Sequence, residues 1–256
     1  MTEQNSKTSE TFAAKASGTV DDTARTFVIA ALIALCIRAF VFEPFNIPSS
    51  SMVPSLLIGD FLFVSKYTYG YSSRSTLFGL LPLSGRLFAS EPKRGDVIVF
   101  KLPRDNHTDY IKRLIGLPGD KVQVRHGLLY VNGVAVDRRK LKIPIAENYL
   151  IPPDDAADYT EVFPSGGSHV IREEGDNRGL DNTAVFSVPP EHYFFMGDNR
   201  DNSQDSRTRN VGFVPAENLV GRAEVIFFSI GEGAHFWEVW RWPSAVRWQR
   251  LFMKIV

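Results

Sequence analysis

The segment Lys121-Val-Gln-Val-Arg-His-Gly-Leu-Leu-Tyr-Val-Asn-Gly-Val-Ala-Val136 decides the fold class of this chain. Apolar and polar residues alternate over 121–125, as in a strand with one buried face. Two apolar runs, 128–131 and 134–136, flank Asn132-Gly133, a pair typical of the two-residue type I′ turn. The segment therefore predicts short antiparallel strands joined by tight turns.

Similar β-rich runs recur on both sides of this segment, at 61–69, 96–101, 192–196 and 222–229. Helical periodicity is scarce beyond residue 55. We therefore predict a mostly β fold, with an antiparallel, barrel-like or sandwich-like domain. Residues 137–190 contain several prolines and a Gly-Gly pair, and they predict a loosely ordered, inserted β/loop subdomain.

An apolar run precedes the β region: Phe27-Val-Ile-Ala-Ala-Leu-Ile-Ala-Leu-Cys-Ile37. With its continuation to Phe42 it covers about 16 apolar positions, close to the ~17–25 that a spanning helix needs. A cleaved signal sequence would need small residues directly after the run, and a buried core helix would be amphipathic. We therefore predict a single transmembrane helix, with Pro44 and Pro48 stopping it. Basic residues before the run favour a cytoplasmic N-terminus.

These patterns divide the chain into five predicted parts. They are a disordered cytoplasmic tail (1–26), a transmembrane anchor (27–44), a catalytic β domain (45–136 and 191–230), the inserted subdomain (137–190) and a Trp-rich amphipathic C-terminal segment (231–256). Two apolar stretches, 77–83 and the C-terminal segment, either contact the bilayer or pack on the β domain. The sequence leaves that choice open.

Composition limits the function classes. The chain has 29 basic and 29 acidic residues and no net charge, which argues against phosphate-driven binding of nucleic acid. Its single cysteine, Cys36, excludes an intramolecular disulfide and a Cys-rich zinc site. Asp198, Asp201 and Asp205 could suggest a calcium loop, but their spacing does not match the EF-hand pattern. We predict no metal and no cofactor.

Three segments contain residues suited to catalysis: Ile47–Leu56, Tyr110–Asp120 and Met196–Arg207. Taken singly, they also fit a Ser/Pro linker, a surface lysine and a polar turn. A lysine becomes a base near neutral pH only where burial lowers its pKa, and Lys112 has apolar neighbours at a predicted strand end. Zinc-protease and nucleophile-elbow motifs are missing from the sequence. A Ser–His triad stays open, because triads assemble in space.

Taken together, the motifs resemble those of bacterial type I signal peptidases (leader peptidases). The matching motifs occur in family order: Ile47-Pro-Ser-Ser-Ser-Met-Val-Pro-Ser-Leu56, Gly59-Asp60, Arg94-Gly-Asp-Val97, Tyr110-Ile-Lys-Arg-Leu-Ile-Gly-Leu-Pro-Gly-Asp120 and Gly197-Asp-Asn-Arg-Asp-Asn-Ser-Gln-Asp-Ser-Arg207. The resemblance covers about residues 38–229. Ser50 departs from it, because many relatives have Gly there.

The resemblance implies a role for each matching residue. Ser51 would be the nucleophile and Lys112 the general base. The Ser51 N–H and the Ser49 hydroxyl would form the oxyanion hole, and Ser203 would orient the lysine. Two structural ion pairs would lie near the site, Asp205–Arg207 and Asp198–Arg113. The substrate pockets would be lined by Phe45, Ile47, Leu56, Leu62, Val99, Tyr110 and Ile111.

The implied protein is a serine endopeptidase of the bacterial cytoplasmic (inner) membrane, with its catalytic domain on the extracytoplasmic side. It would cut exported preproteins after small-x-small (Ala-x-Ala) sites; its partners would be these preproteins and the lipid bilayer, not nucleic acid. Two other hypotheses remain. One is a cytosolic Ser–Lys autoprotease of the SOS-repressor kind, although a transmembrane run stands here in place of its DNA-binding domain. The other is a non-enzymatic, membrane-tethered β module for protein assembly.

Overall fold

A computed structural model describes residues 3–75, 85–142, 156–164, 166–231 and 233–256, with side chains from residue 22 onward. The predicted mostly β fold is confirmed, with an N-terminal apolar helix followed by a curled antiparallel sheet. The apolar stretch 77–83 lies outside the described residues.

The first helix, α1, runs from Glu3 to Phe40. It therefore begins well before the predicted anchor, in the part expected to be a disordered tail. Residues 3–26 contain no proline, one glycine and several alanines, a composition that permits helix. The part Asp22–Phe40 is long and apolar enough to cross a membrane, with a mean hydropathy of 1.8.

The helix ends at Phe40, not at residue 44. The chain passes directly into strand β1 (Phe42–Asn46), which contains Pro44. Strand β1 pairs with β2 along one side only and forms an edge of the large sheet. Proline is tolerated there because an edge strand does not need all of its N–H groups for the ladder.

The further strands alternate with short turns along the chain. They are β2 (Asp60–Ser65), β3 (Val97–Lys101), β4 (Asp109–Gly116), β5 (Lys121–Arg125), β6 (Leu128–Val131), β7 (Val134–Ala135), β8 (Asp137–Lys140), β9 (Ala157–Val162), β10 (Ser168–Glu173), β11 (Phe186–Ser187), β12 (His192–Met196), β13 (Val214–Pro215), β14 (Leu219–Ser229) and β15 (Met253–Lys254). A short helix α2 (Trp242–Ala245) lies near the C-terminus.

Among the described residues these strands form three sheets. The large sheet has the order β1-β2-β14-β3-β4-β12-β13, with β15 beside β14. A second sheet has the order β11-β5-β6-β7. Its predicted hairpin turn is confirmed, because Asn132 and Gly133 have φ values of 53° and 80°, the two positive values that a type I′ turn requires.

The third sheet, β10-β9-β8, lies in the predicted insertion, which is more ordered in its described part than expected. A buried ion pair between Arg172 and Asp158 joins two of its strands. Its backbone is bonded to the polar segment 196–207: Arg172 N–H donates to Asp198 O (2.8 Å), and Arg200 N–H donates to Arg172 O (2.9 Å). The insertion therefore supports the segment that contains Ser203.

The C-terminal segment packs on the large sheet through its arginines. Arg250 donates to both carboxylate oxygens of Asp60 (3.1 and 2.6 Å), and Arg247 donates to Ile58 O. These two arginines are buried, whereas the side chains of Trp237, Trp240 and Trp248 are exposed to solvent. The segment thus combines a buried, charge-paired side with an exposed aromatic side.

Candidate active site

Ser51 lies in the loop that follows β1, and apolar side chains of this loop pack on the large sheet. Met52 and Leu56 are fully buried in a hydrophobic cluster with residues of β2, β3 and β14. The turn is closed by Val53 N–H donating to Ser50 O (3.1 Å) and Leu56 N–H donating to Met52 O (2.8 Å). The buried apolar residues that follow Ser51 therefore hold the loop in place.

Lys112 lies inside β4, not at a strand end as predicted. Its backbone is paired with Ile98 of β3, and the side chain is 3% exposed. Strand β12 pairs with β4 only from Arg113 to Gly116, because the pairing stops at Met196. Lys112 therefore lies where β4 is paired with β3 on one side and with no strand on the other. Its side chain faces the Ser51 loop.

The structure brings the predicted nucleophile and base into contact. Lys112 Nζ lies 2.6 Å from Ser51 Oγ and also donates to Ile111 O at 2.9 Å. Burial lowers the pKa of Lys112 to about 8, although the negative charges of Asp205 and Asp198 raise it in part. A fraction of the amine is therefore neutral near neutral pH, and a neutral amine can accept the serine proton.

Ser49 and the backbone of Ser51 form the third part of the site. Ser49 Oγ lies 3.4 Å from Ser51 Oγ. Among the described residues, no hydrogen bond from the Ser51 N–H is formed. One hydroxyl and one free N–H are therefore available beside the nucleophile, as the oxyanion hypothesis requires.

Ser203 is close to the site but does not make the predicted hydrogen bond to Lys112. Its side chain packs against Gly197, where an added Cβ would overlap Ser203 Oγ. Within the described part of the chain, Ser203 Oγ is buried and has no hydrogen-bond partner. The lysine amine is instead held by Ser51 and the Ile111 carbonyl. An orienting role for Ser203 stays a prediction.

The two expected ion pairs are present and buried. Arg113 binds Asp198 with two hydrogen bonds of 2.8 and 2.7 Å, and Arg207 binds Asp205 with two of 2.9 and 2.8 Å. Burial alone would raise the pKa of each carboxyl, but the paired arginine outweighs it and holds the pKa below its usual range. Both carboxylates therefore stay charged near Lys112.

A groove of about 630 Å³ opens in front of Ser51 and Lys112. Five of the predicted pocket residues line it: Phe45, Ile47, Val99, Tyr110 and Ile111. The other two, Leu56 and Leu62, are fully buried in the hydrophobic cluster behind the groove. They support the groove wall and do not form its surface.

Two asparagines that the sequence interpretation did not single out connect the motif segments. Asn199 N–H donates to Ser51 O, and its Nδ2 donates to Ser50 O, each at 3.1 Å. Asn202 Nδ2 donates to Ser50 Oγ at 3.1 Å. The segment 197–207 thus holds the Ser51 loop through both its backbone and its side chains.

Comparison with known proteins places the chain in a family. A model described as "Signal peptidase, peptidase S26" matches residues 20–228. Proteins named signal peptidase I from Rickettsia typhi and Rickettsia conorii are each 39% identical to this chain. They align over 94% and 90% of this chain, and over 96% and 91% of their own lengths. This chain belongs to the signal peptidase I family.

A solved signal peptidase I from Enterococcus faecalis V583 is 29% identical, over 52% of this chain and 97% of its own length, with a TM-score of 0.32. The family-model match runs from within α1 to the end of β14. It includes all three segments that meet at the groove. Membership in the signal peptidase I family therefore applies to the part of the chain that holds the site.

The asparagines could have been found from the sequence. They stand in the polar segment of the signal peptidase motif, where the density of hydrogen-bonding residues exceeds what a surface turn needs. Gly197 also belongs to that motif. An added Cβ there would overlap Ser203 and contact Ser51 O, so the glycine allows the two loops to approach.

Proposed function

We propose that this protein is a membrane-anchored serine endopeptidase that removes signal peptides from exported preproteins, with Ser51 as nucleophile and Lys112 as general base. The observation that carries the proposal is the 2.6 Å contact between Lys112 Nζ and Ser51 Oγ, with the lysine almost fully buried. A serine and a base within hydrogen-bond reach are what nucleophilic catalysis requires.

The reaction begins when Ser51 Oγ attacks the carbonyl carbon of the scissile bond and passes its proton to Lys112 Nζ. The C–N bond then breaks, and the same proton goes to the leaving amine. Water next attacks the acyl-serine ester and gives its proton to Lys112, which returns it to Ser51 Oγ as the acid leaves. A single amine thus acts as base and acid in both halves of the reaction.

The tetrahedral intermediates carry an oxyanion that needs hydrogen-bond donors. The Ser51 N–H and the Ser49 hydroxyl are the candidates, because both lie beside Ser51 Oγ. Loss of one such donor typically costs roughly 3 kcal/mol of transition-state stabilisation.

The groove favours an extended substrate. Residues 109–112 of β4 have β3 on one side, while β12 begins its pairing only at Arg113. A peptide added along this open side would be held by backbone hydrogen bonds. Alternate side chains of an extended peptide point to the same face, so the first and third residues before the cut would meet the same wall.

That wall is formed by bulky side chains, including Phe45, Ile47 and Ile111. We propose that these side chains limit the room at both positions, so that small residues are preferred there. An Ala-x-Ala site fits this requirement.

Anchoring would place the groove near its substrates. The part Asp22–Phe40 of α1 is long and apolar enough to span a bilayer, and it leads directly into β1 beside the groove. We propose a cytoplasmic N-terminus and an extracytoplasmic catalytic domain in the bacterial cytoplasmic membrane. Exposed Trp237, Trp240 and Trp248 would then contact the lipid interface.

The test is cleavage of a precursor by the detergent-solubilised protein, with the cut mapped by mass spectrometry. We expect cleavage directly after the Ala-x-Ala site, no cleavage when the last Ala is replaced by Phe, and no cleavage by Ser51→Ala. Cleavage of the Phe precursor at the same rate would contradict the proposed pocket. An inactive, well-folded wild type, in detergent and in liposomes, would favour the non-enzymatic β module.

A further inference from the structure

Three carboxylates meet outside the groove, on the side of the segment 197–207 that faces the inserted sheet. Glu173 ends β10, Asp181 lies in the following turn, and Asp201 belongs to the segment 197–207. One oxygen from each lies within 4.8 Å of the other two. Glu173 and Asp181 are buried, at 2% and 0% exposure, and Asp201 is half-buried.

The hydrogen bonds of these carboxylates leave one oxygen of each without a partner. Asp181 Oδ2 accepts from Arg178 N–H (2.5 Å), and Asp201 Oδ2 accepts from Glu174 N–H (2.6 Å). Within the described residues, no donor reaches Asp181 Oδ1, Asp201 Oδ1 or Glu173 Oε2. Buried carboxylate oxygens are normally paired with a cation or bound to a metal, so these three oxygens point to a missing ligand.

Nearby arginines are engaged elsewhere. Arg200 forms two hydrogen bonds with Glu161 (2.9 and 2.5 Å). Arg138 approaches Glu173 Oε1 only to 3.7 Å, and its closer partner is Asp176 at 2.9 Å. Neither arginine donates a hydrogen bond to the three carboxylates, so their unpartnered oxygens are left without a donor among the described residues.

We propose that Glu173, Asp181 and Asp201 bind a hard divalent cation of the calcium type. A donor set made only of carboxylate oxygens suits Ca²⁺, Mg²⁺ or Mn²⁺ and not a soft transition metal. Ca²⁺ accepts irregular oxygen shells at about 2.3–2.6 Å and can complete them with water, which fits three oxygens separated by less than 4.8 Å.

Such an ion would fasten the catalytic segment to the inserted subdomain. Asp201 stands between Asn199 and Ser203, and Asn199 holds the Ser51 loop. Glu173 and Asp181 belong to the insertion. The bound ion would therefore act on stability and on loop position, without contact with the substrate, and the proposal does not depend on the chemistry of Ser51.

The test is equilibrium dialysis of the full chain in detergent against radioactive Ca²⁺ near neutral pH, after removal of bound metal with EDTA. We expect one Ca²⁺ per chain for the wild type and at least about 100-fold weaker affinity for Asp181→Asn. The matched control is Asp137→Asn, an exposed acidic residue of β8 that pairs with Arg139 outside the cluster, and it should bind like the wild type.

Thermal unfolding provides a second measurement. Ca²⁺ should raise the Tm of the wild type and of Asp137→Asn over the value in EDTA, but not that of Asp181→Asn. If Asp181→Asn does not fold, Asp201→Asn takes its place in both measurements. The proposal is overturned if the wild type binds none of Ca²⁺, Mg²⁺ and Mn²⁺ saturably, or if the folded variant binds as well as the wild type. The first result would mean that the carboxylates hold a proton instead.

Discussion

A lysine amine serves as a base near neutral pH only if its surroundings disfavour the ammonium form. Lys112 meets this condition because its strand position buries the whole side chain, which lowers its pKa to about 8. Asp198 and Asp205 oppose this effect, but each is matched by its own arginine. Burial thus decides the direction of the shift.

A pH profile tests this balance. Only the neutral amine accepts the Ser51 proton, so kcat/KM should rise about tenfold per pH unit below the pKa and level off above a pH of about 8. The profile of kcat/KM reports the free enzyme, which is the state described here. The measurement is precursor cleavage over a range of pH values at constant ionic strength. A profile that keeps rising to the pKa of an ordinary lysine would show that burial does not lower it.

At the scale of single residues, a motif specifies which residues are candidates but not which contacts they make. The motifs singled out Ser51 and Lys112, and the structure brings their side chains to 2.6 Å because the Ser51 loop faces the part of β4 that β12 does not cover. Their catalytic roles stay predictions. The Ser203 hydrogen bond was not formed, because its existence depends on side-chain placement that a motif does not specify. Leu56 and Leu62 matched pocket positions, yet the packing of β2 and the Ser51 loop buries both.

Two segments at the site approach so closely that one position admits no side chain. At Gly197 an added Cβ would overlap Ser203 and the Ser51 carbonyl. The Gly197 N–H also donates to Asp205 Oδ2 at 3.0 Å. Gly197 therefore sets the distance between the two segments.

We expect Gly197→Ala to reduce kcat/KM about 100-fold, because a displacement of about 1 Å at the nucleophile has an effect of that size. The matched control is Gly179→Ala, since Gly179 has no atom within 4 Å of an added Cβ and no left-handed φ. The measurement is precursor cleavage by both variants. Equal activity of the two would mean that the segments can separate without affecting catalysis.

The Arg113–Asp198 ion pair joins β4 to the segment 197–207, and its contribution to stability can be measured. Asp198→Asn leaves the guanidinium of Arg113 buried without its counter-charge, and such a loss destabilises by about 3–5 kcal/mol. Asp137→Asn breaks the exposed pair with Arg139 and should change stability by less than about 1 kcal/mol. Urea unfolding of both variants measures the difference. Equally small effects would show that the Asp198–Arg113 pair contributes little to stability.

At the scale of elements, the sequence predicted about half of the strands but not how the strands divide into sheets. The hairpin at Asn132-Gly133 was predicted because its turn chemistry is local. Residues 42–44 of strand β1 were assigned to the anchor, since an edge strand that contains Pro44 has no period-2 pattern to distinguish it. The inserted β/loop subdomain was predicted, but sheet β8–β10 is more ordered than expected because it contains buried ion pairs, which look polar in the sequence.

In the whole molecule, the described side chains of α1 contact the β domain mainly at the end of the helix. Its end is tied to the domain by a Tyr71 O–H bond to Phe40 O (2.6 Å) and by an Arg38–Glu43 pair at 3.7 Å. From residue 22 onward, most apolar side chains of α1 are exposed. The helix therefore affects where the β domain is located more than how it folds.

A chain without residues 1–40 should accordingly fold and cleave a soluble peptide at a rate close to that of the full chain. It should process a liposome-bound precursor much more slowly, because the anchor raises the local substrate concentration to about the mM range. The measurement compares both chains on both substrates. If the shortened chain cleaved the soluble peptide as slowly as the liposome-bound precursor, α1 would be part of the catalytic fold.

A double-mutant cycle on precursor cleavage tests whether Ser51 and Lys112 act as one catalytic unit. The variants are Ser51→Ala, Lys112→Met and the double substitution, each first checked for an unchanged unfolding temperature. We expect each single substitution to remove nearly all activity, at least about 10³-fold, and the double variant to lose no more. Retained activity in a single variant, or losses that multiply in the double variant, would contradict this expectation.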